Sequence, residues 1–83
     1  MRKIKITQTL KPGILDPEGS TIRITLERFG YPVTDFHIGR EMYMELDVDD
    51  DEKALEIGHD AAQKVLVSTI LNDYTVELVN DER

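Results

Sequence analysis

Seventeen carboxylates and two imidazoles, with no cysteine, are the groups in this 83-residue chain whose chemistry needs weighing first. Asp47, Asp49 and Asp51 occupy alternate positions, as the first three ligands of a calcium-binding loop do. The pattern fails where that loop is most demanding: Glu52 stands where the sharp turn needs glycine, and Gly58 stands where a bidentate glutamate closes the coordination sphere. The same acids suit the start of a helix, whose free N–H groups and dipole favour negative charge. Asp49 and Glu52 have capping-box spacing, so capping is the reading adopted. His37 and His59 are too far apart for a paired ligand motif and read as surface histidines. Ser20 and Ser68 lack a Gly-x-Ser-x-Gly context, and the five single glycines form no phosphate-cradling loop. Lys11 and Arg40 each fall in an expected turn and could face an anion, but a structural role for the turns is the simpler account. No catalytic residue, metal ligand or cofactor-binding residue is assigned, and no cofactor is expected.

The elements around these groups are organised by one corner, Leu10 to Gly19. Pro12 gives no N–H to a sheet and fixes its own φ, while Gly13 accepts the positive φ of the third position in a type II turn. Asp16 offers a cap oxygen, and Pro17 then occupies the first helical position, where its missing N–H costs nothing.

On either side of that corner the hydrophobic period changes. Ile4, Ile6 and Leu10 alternate with Lys3, Lys5, Thr7 and Thr9, which predicts a first strand over 2–10. Ile22, Leu26 and Phe29 then form a helical stripe over 17–29, closed by Gly30 in a left-handed conformation. Ile24 lies off the stripe and faces solvent or a partner, which makes it the candidate interface residue. Alternation resumes over Val33–Ile38, Gly39-Arg40 reads as a turn, and Met44, Leu46 and Val48 continue a hairpin. A second helix is expected over 51–67, with a stripe of Ala54, Gly58, Ala61, Ala62 and Val65 small enough to approach a sheet closely. Tyr74 to Leu78 completes a fourth strand.

The expected fold is a single α+β domain spanning 1–83, in β-α-β-β-α-β order: the split βαβ, ferredoxin-like arrangement, with a four-stranded antiparallel sheet and two helices on one face. In strand order 4-1-3-2, Lys3 and Lys5 face Glu45, Asp47 and Glu77. A chain of this size buries only about 60–65% of its unfolded surface, which favours a homo-oligomer. A net charge of -7 argues against nucleic acid or an anionic membrane as partner. The absence of a signal-like N-terminal run or a long apolar stretch points to the cytoplasm.

The run Leu10-Lys11-Pro12-Gly13-Ile14-Leu15-Asp16-Pro17, with Gly30-Tyr31, Ile38-Gly39-Arg40 and Asp73-Tyr74, resembles the PurS family almost end to end. Gln8 and Ser68 depart from it, standing where an apolar residue and an asparagine are usual. PurS is the small subunit of phosphoribosylformylglycinamidine synthase, which makes an amidine from a formylglycinamide ribonucleotide with ATP and glutamine-derived ammonia in purine biosynthesis. The resemblance implies a non-catalytic assembly subunit. It would form a homodimer or homotetramer and bridge the synthase and glutaminase subunits, assisting ammonia transfer. A ferredoxin-like regulatory domain sensing a small molecule is the alternative.

Overall fold

The computed structural model describes residues 1–79 and runs in the order β1 (Arg2–Leu10), α1 (Pro17–Arg28), β2 (Gly39–Leu46), α2 (Asp51–Ala61) and β3 (Asn72–Val79). A π-helical turn, Ala62–Leu66, extends α2. Residues 80–83, included in the single-domain expectation, lie outside the described residues.

Among the described residues the sheet has three antiparallel strands, ordered β2-β1-β3, not four. Val33–Ile38, expected as a strand, is an irregular connector, and the alternation of its side chains does not make it a strand because three of its N–H groups are bonded outside any ladder. Val33 N donates to the Tyr31 carbonyl, Phe36 N to Asp35 Oδ1 and Ile38 N to Asp16 Oδ2. Gly39 and Arg40, expected as a hairpin turn, are consequently the first ladder residues of β2, opposite Thr9 and Gln8.

Strand β1 is central because both of its faces are matched. Ile4 lies between Met44 and Leu78 and Ile6 between Met42 and Val76 on the helix-bearing face. On the other face Lys3 is opposite Glu45, and Lys5 is opposite Glu77. Lys5 Nζ is 3.6 Å from Glu77 and 3.7 Å from Glu41, and these carboxylates, Glu77 foremost, raise its pKa. Lys3 Nζ stands 5.3 Å above the Tyr43 ring, a cation–π arrangement.

The core is small: Ile4, Ile6, Ala54, Ala62 and Val67 are buried, with Met42, Met44, Leu46, Val48, Leu66, Tyr74 and Val76 packed around them. Helix α2 lies against β1 and β3. Its small stripe explains the closeness, since a Cβ on Gly58 would stand 2.5 Å from Ile4 Cδ1 and 2.8 Å from Val76 Cγ1. The stripe ends earlier than expected. The π turn widens the helix after Ala61 and rotates the residues beyond it, so Val65 is 79% exposed while Val67 is buried. The cap is also shifted by one residue: Asp50, not Asp49, caps α2 by accepting from Glu52 N at 3.1 Å.

The expectation of two helices packed on one sheet face fails for α1. It packs extensively against no other element, and its apolar residues are not among those surrounding the core. The Cα envelope is accordingly long and thin, 49 × 33 × 14 Å.

Candidate functional site

The corner forms as its residues dictate. Gly13 has φ +86°, and Ile14 N donates to the Lys11 carbonyl at 3.1 Å, closing the turn around Pro12-Gly13. Asp16 accepts from Gly19 N at 3.0 Å, with Pro17 at the first helical position. Its second oxygen accepts from Ile38 N at 3.3 Å, so one carboxylate starts α1 and anchors the connector that leads to β2. Gly19 is needed for this: a Cβ there would collide with the Asp16 carboxylate and press on the Phe36 carbonyl.

Asp73 joins the corner through a 2.9 Å ion pair with Lys11, while Lys11 N donates to the Leu71 carbonyl at 2.9 Å. Gly39 fits beside Thr9, where a Cβ would stand 2.9 Å from the Gln8 carbonyl. Leu10, Lys11, Pro12, Gly13, Asp16, Pro17, Ile38, Gly39, Arg40, Asp73 and Tyr74 therefore gather at one end of the sheet, through backbone and carboxylate links that hold the start of α1 in place. Gly30 and Tyr31 do not join them, because α1 sets them roughly 18 Å away. They close the helix instead. Gly30 has φ +88°, Gly30 N donates to Glu27 O, and Tyr31 N to Leu26 O, the paired bonds of a Schellman cap.

A shallow groove at the corner is lined by Thr9, Leu10, Pro12, Asp35, His37 and Asp73. His37 lies in the connector rather than on a sheet strand, and its Nε2 is 2.9 Å from Asp35 Oδ2. Hydrogen bonding from His37, then from Phe36 N, lowers the pKa of Asp35. The two side chains are 63% and 72% exposed, which makes them a solvent-screened surface pair rather than a desolvated general base. His59, on α2, has its ring centroid 5.7 Å from that of Tyr74, tilted by 58°.

The acidic run is occupied by intramolecular partners. Arg2 Nε is 2.6 Å from Asp51, Arg2 Nη2 donates to the Asp49 carbonyl, and the terminal amine is 3.3 Å from the Asp49 side chain. Among the described residues no group of three or more potential metal ligands converges.

Ile24, the candidate interface residue, is 43% exposed. Phe29, expected on the buried stripe of α1, is instead 76% exposed, and Tyr31 is 58% exposed. Sequence reasoning missed Leu15 and Ile70, 76% and 82% exposed on loops either side of Lys11; their flanking turn residues were the available signal. It also missed the cost of Gln8, whose buried Oε1 has no hydrogen-bond partner among the described residues. The other departure is harmless, because Ser68 contributes its carbonyl, which accepts from Leu71 N and Asn72 N, and any residue could supply that.

Comparison with known proteins agrees with an association role. Residues 3–80 match the family model described as PurS, phosphoribosylformylglycinamidine (FGAM) synthase. The PurS subunit of Bacillus subtilis phosphoribosylformylglycinamidine synthase is 34% identical over 80 residues, covering 94% of this chain and 93% of the relative. The Thermotoga maritima PurS subunit is 32% identical over 75 residues, covering 89% and 92%. Among solved structures, Methanocaldococcus jannaschii PurS superposes with a TM-score of 0.85 at 26% identity, over 99% of this chain and all of that one. The structure of PurLQS from Thermotoga maritima contains a chain similar at TM-score 0.83 and 30% identity, over 94% and 96%. With a family match from residue 3 to residue 80 and relatives alike over nearly their whole length, this chain belongs to the PurS family.

Proposed function

We propose that this chain is a non-catalytic assembly subunit of phosphoribosylformylglycinamidine synthase in purine biosynthesis, working in the cytoplasm. In this reading it holds the synthase and glutaminase subunits together so that ammonia passes between them, and it does so as a homodimer or homotetramer. The observation that carries the reading is the near-complete likeness to a chain of the Thermotoga maritima PurLQS structure. The exposed apolar residues fit it: Leu15, Ile24, Phe29, Tyr31 and Ile70 offer contact surface. Ile24, off the helix stripe, is the candidate contact to a partner subunit. No helix among the described residues is long and apolar enough to cross a membrane.

The test is capture. Tagged chain mixed with the synthase and glutaminase subunits should retain both, and glutamine-dependent amidine formation should depend on its presence. The chain alone should give no turnover with glutamine, ATP and the ribonucleotide. Turnover that survives repurification overturns the reading, as does failure to retain either subunit. A ligand-induced thermal shift without capture would favour a small-molecule sensor.

A further inference from the structure

One end of the molecule gathers apolar side chains that the fold leaves bare. Helix α2 runs the length of the sheet: the Arg2–Asp51 pair ties its start to the start of β1, and the loop after it is tied to the end of β1 by Lys11 N, which donates to the Leu71 carbonyl. The π turn, this loop and the Gly13 corner therefore meet where β1 ends and β3 begins, with Leu10 opposite Asn72. Val65, Ile70 and Leu15 are largely exposed there, and Leu71 and Ile14 beside them are exposed as well.

Two observations set this patch apart from apolar residues scattered singly over a surface. Val65 is turned out of the core by the π turn, whose wider bond, from Val67 N to the Ala62 carbonyl, breaks the α-helical period; single π turns of this kind are frequent at functional sites. A groove also adjoins the patch. Pro12 in its lining belongs to the turn that presents Ile14 and Leu15, and Asp73 follows Leu71 by two residues. Asp35 and Asp73 both line this groove with their side chains more than half exposed, and Lys11 neutralises only Asp73. With His37 neutral the groove keeps a net negative charge.

We propose that this end docks one other subunit of the synthase complex, through a segment of that subunit that lays apolar side chains on Leu15 and Ile70 and sets a lysine or arginine in the groove lined by Asp35 and Asp73. Charge selects this occupant over a second copy of the chain, which carries -7 and has no surplus of cations to bring. Apolar anchors at the centre with a charged pair at the rim are the ordinary anatomy of an interface between unlike proteins.

The inference rests on the assembly role proposed above, and one titration separates the two. Tagged wild type, Leu15→Asp and Ile70→Asp are each titrated with the synthase and glutaminase subunits together, and the retention of each subunit is followed. Each variant should bind one subunit roughly tenfold or more weakly, keep the other within about twofold, and match wild type in oligomer size and melting temperature. Asp35→Asn, whose amide still serves Phe36 N and the His37 ring, should weaken the same subunit by roughly two- to fivefold at low salt. That loss should fade at high salt. Both subunits bound as by wild type, both weakened alike, or an oligomer that falls apart each overturn the docking surface, and an unchanged Asp35→Asn overturns its basic segment. If a variant melts early, hydrogen exchange on wild type takes its place: slowing at Leu15 and Ile70 on adding one subunit supports the surface, and no slowing with either overturns it. Wild type that retains neither subunit defeats the assembly role itself.

Discussion

Helices α1 and α2 begin alike and are held in unlike ways. Each starts from an aspartate whose side chain accepts a backbone N–H, Asp16 from Gly19 and Asp50 from Glu52. From there α2 is fixed along its length, with Ala54, Gly58 and Ala62 buried against the sheet. Helix α1 is fixed at its ends, by the corner below and the Gly30 cap above, while its stripe stays half-covered. Capping specifies that a helix forms and where it starts. The size of the residues on its inner face specifies how close it can come to a sheet.

The sharpest way to break this comparison is to remove equal volumes from the two sides. Ile4→Ala, in the core under α2, should cost about 2–5 kcal/mol. Ile22→Ala should cost less than half as much in urea unfolding at dilutions where the chain is monomeric. Equal losses would mean that α1 is held by its stripe after all.

Glycine substitutions probe the two fixings directly. Gly13→Val places a β-branched residue at φ +86° and should cost about 1–3 kcal/mol through backbone strain alone, since nothing stands within 4 Å of the new Cβ. Gly58→Ala gains up to ~1 kcal/mol of helix propensity but forces Ile4 and Val76 aside, for a smaller net loss of about 1 kcal/mol. Denaturation midpoints rank the two. A Gly58→Ala chain more stable than wild type would show that α2 has slack against the sheet.

Asp16→Ala should cost about 1 kcal/mol, as should Asp50→Ala. The difference lies in reach. Hydrogen exchange in Asp16→Ala should speed up at Gly19 and at Ile38 together, because one carboxylate serves both, while the change in Asp50→Ala stays within the first turn of α2.

The smallest effect concerns the connector. His37→Ala should return the Asp35 carboxyl upward toward its ordinary pKa in an NMR titration, since the His37 hydrogen bond is the main cause of its lowering. A carboxyl lowered in the folded state adds stability that is present above its unfolded value and is lost as pH falls through the folded one. The variant should therefore show a shallower loss of stability on the acid side. An unmoved Asp35 would assign the lowering to Phe36 N instead.

How much of the fold was legible in the sequence depends on the range of the forces involved. The first strand, the Gly13 turn, the Asp16 cap and the Gly30 closure depend on neighbours within about four residues, and all four are where periodicity and turn chemistry put them. The fourth strand failed because alternation reports which side chains share a face, and says nothing of where backbone donors go. The donors of Phe36 and Ile38 went to carboxylates. Val65 failed because a π turn changes the period within a helix, and Asp50 displaced Asp49 as cap by one position in a run of three aspartates. The family residues were legible as local structure, but the Lys11–Asp73 pair, 62 residues apart, was not. The detachment of α1 was hidden for a further reason: an apolar stripe records that a helix buries a face, and not which surface it is buried on.

The central position of β1 has a consequence for the order in which the chain is made. Of the three strands, the earliest to leave the ribosome is also the one that pairs on both sides, with Gly39–Leu46 and then with Asn72–Val79. Lys3 does not meet Val79 until nearly the whole described chain has been synthesised. In the interval β1 is an unpaired strand carrying Ile4 and Ile6, a hazard for pairing with other nascent chains. Lys3 and Lys5 alternate with those isoleucines, and like charges on neighbouring nascent chains repel at the separation of paired strands. The residues that later meet Glu45 and Glu77 across the finished sheet thus guard the strand while it waits for them.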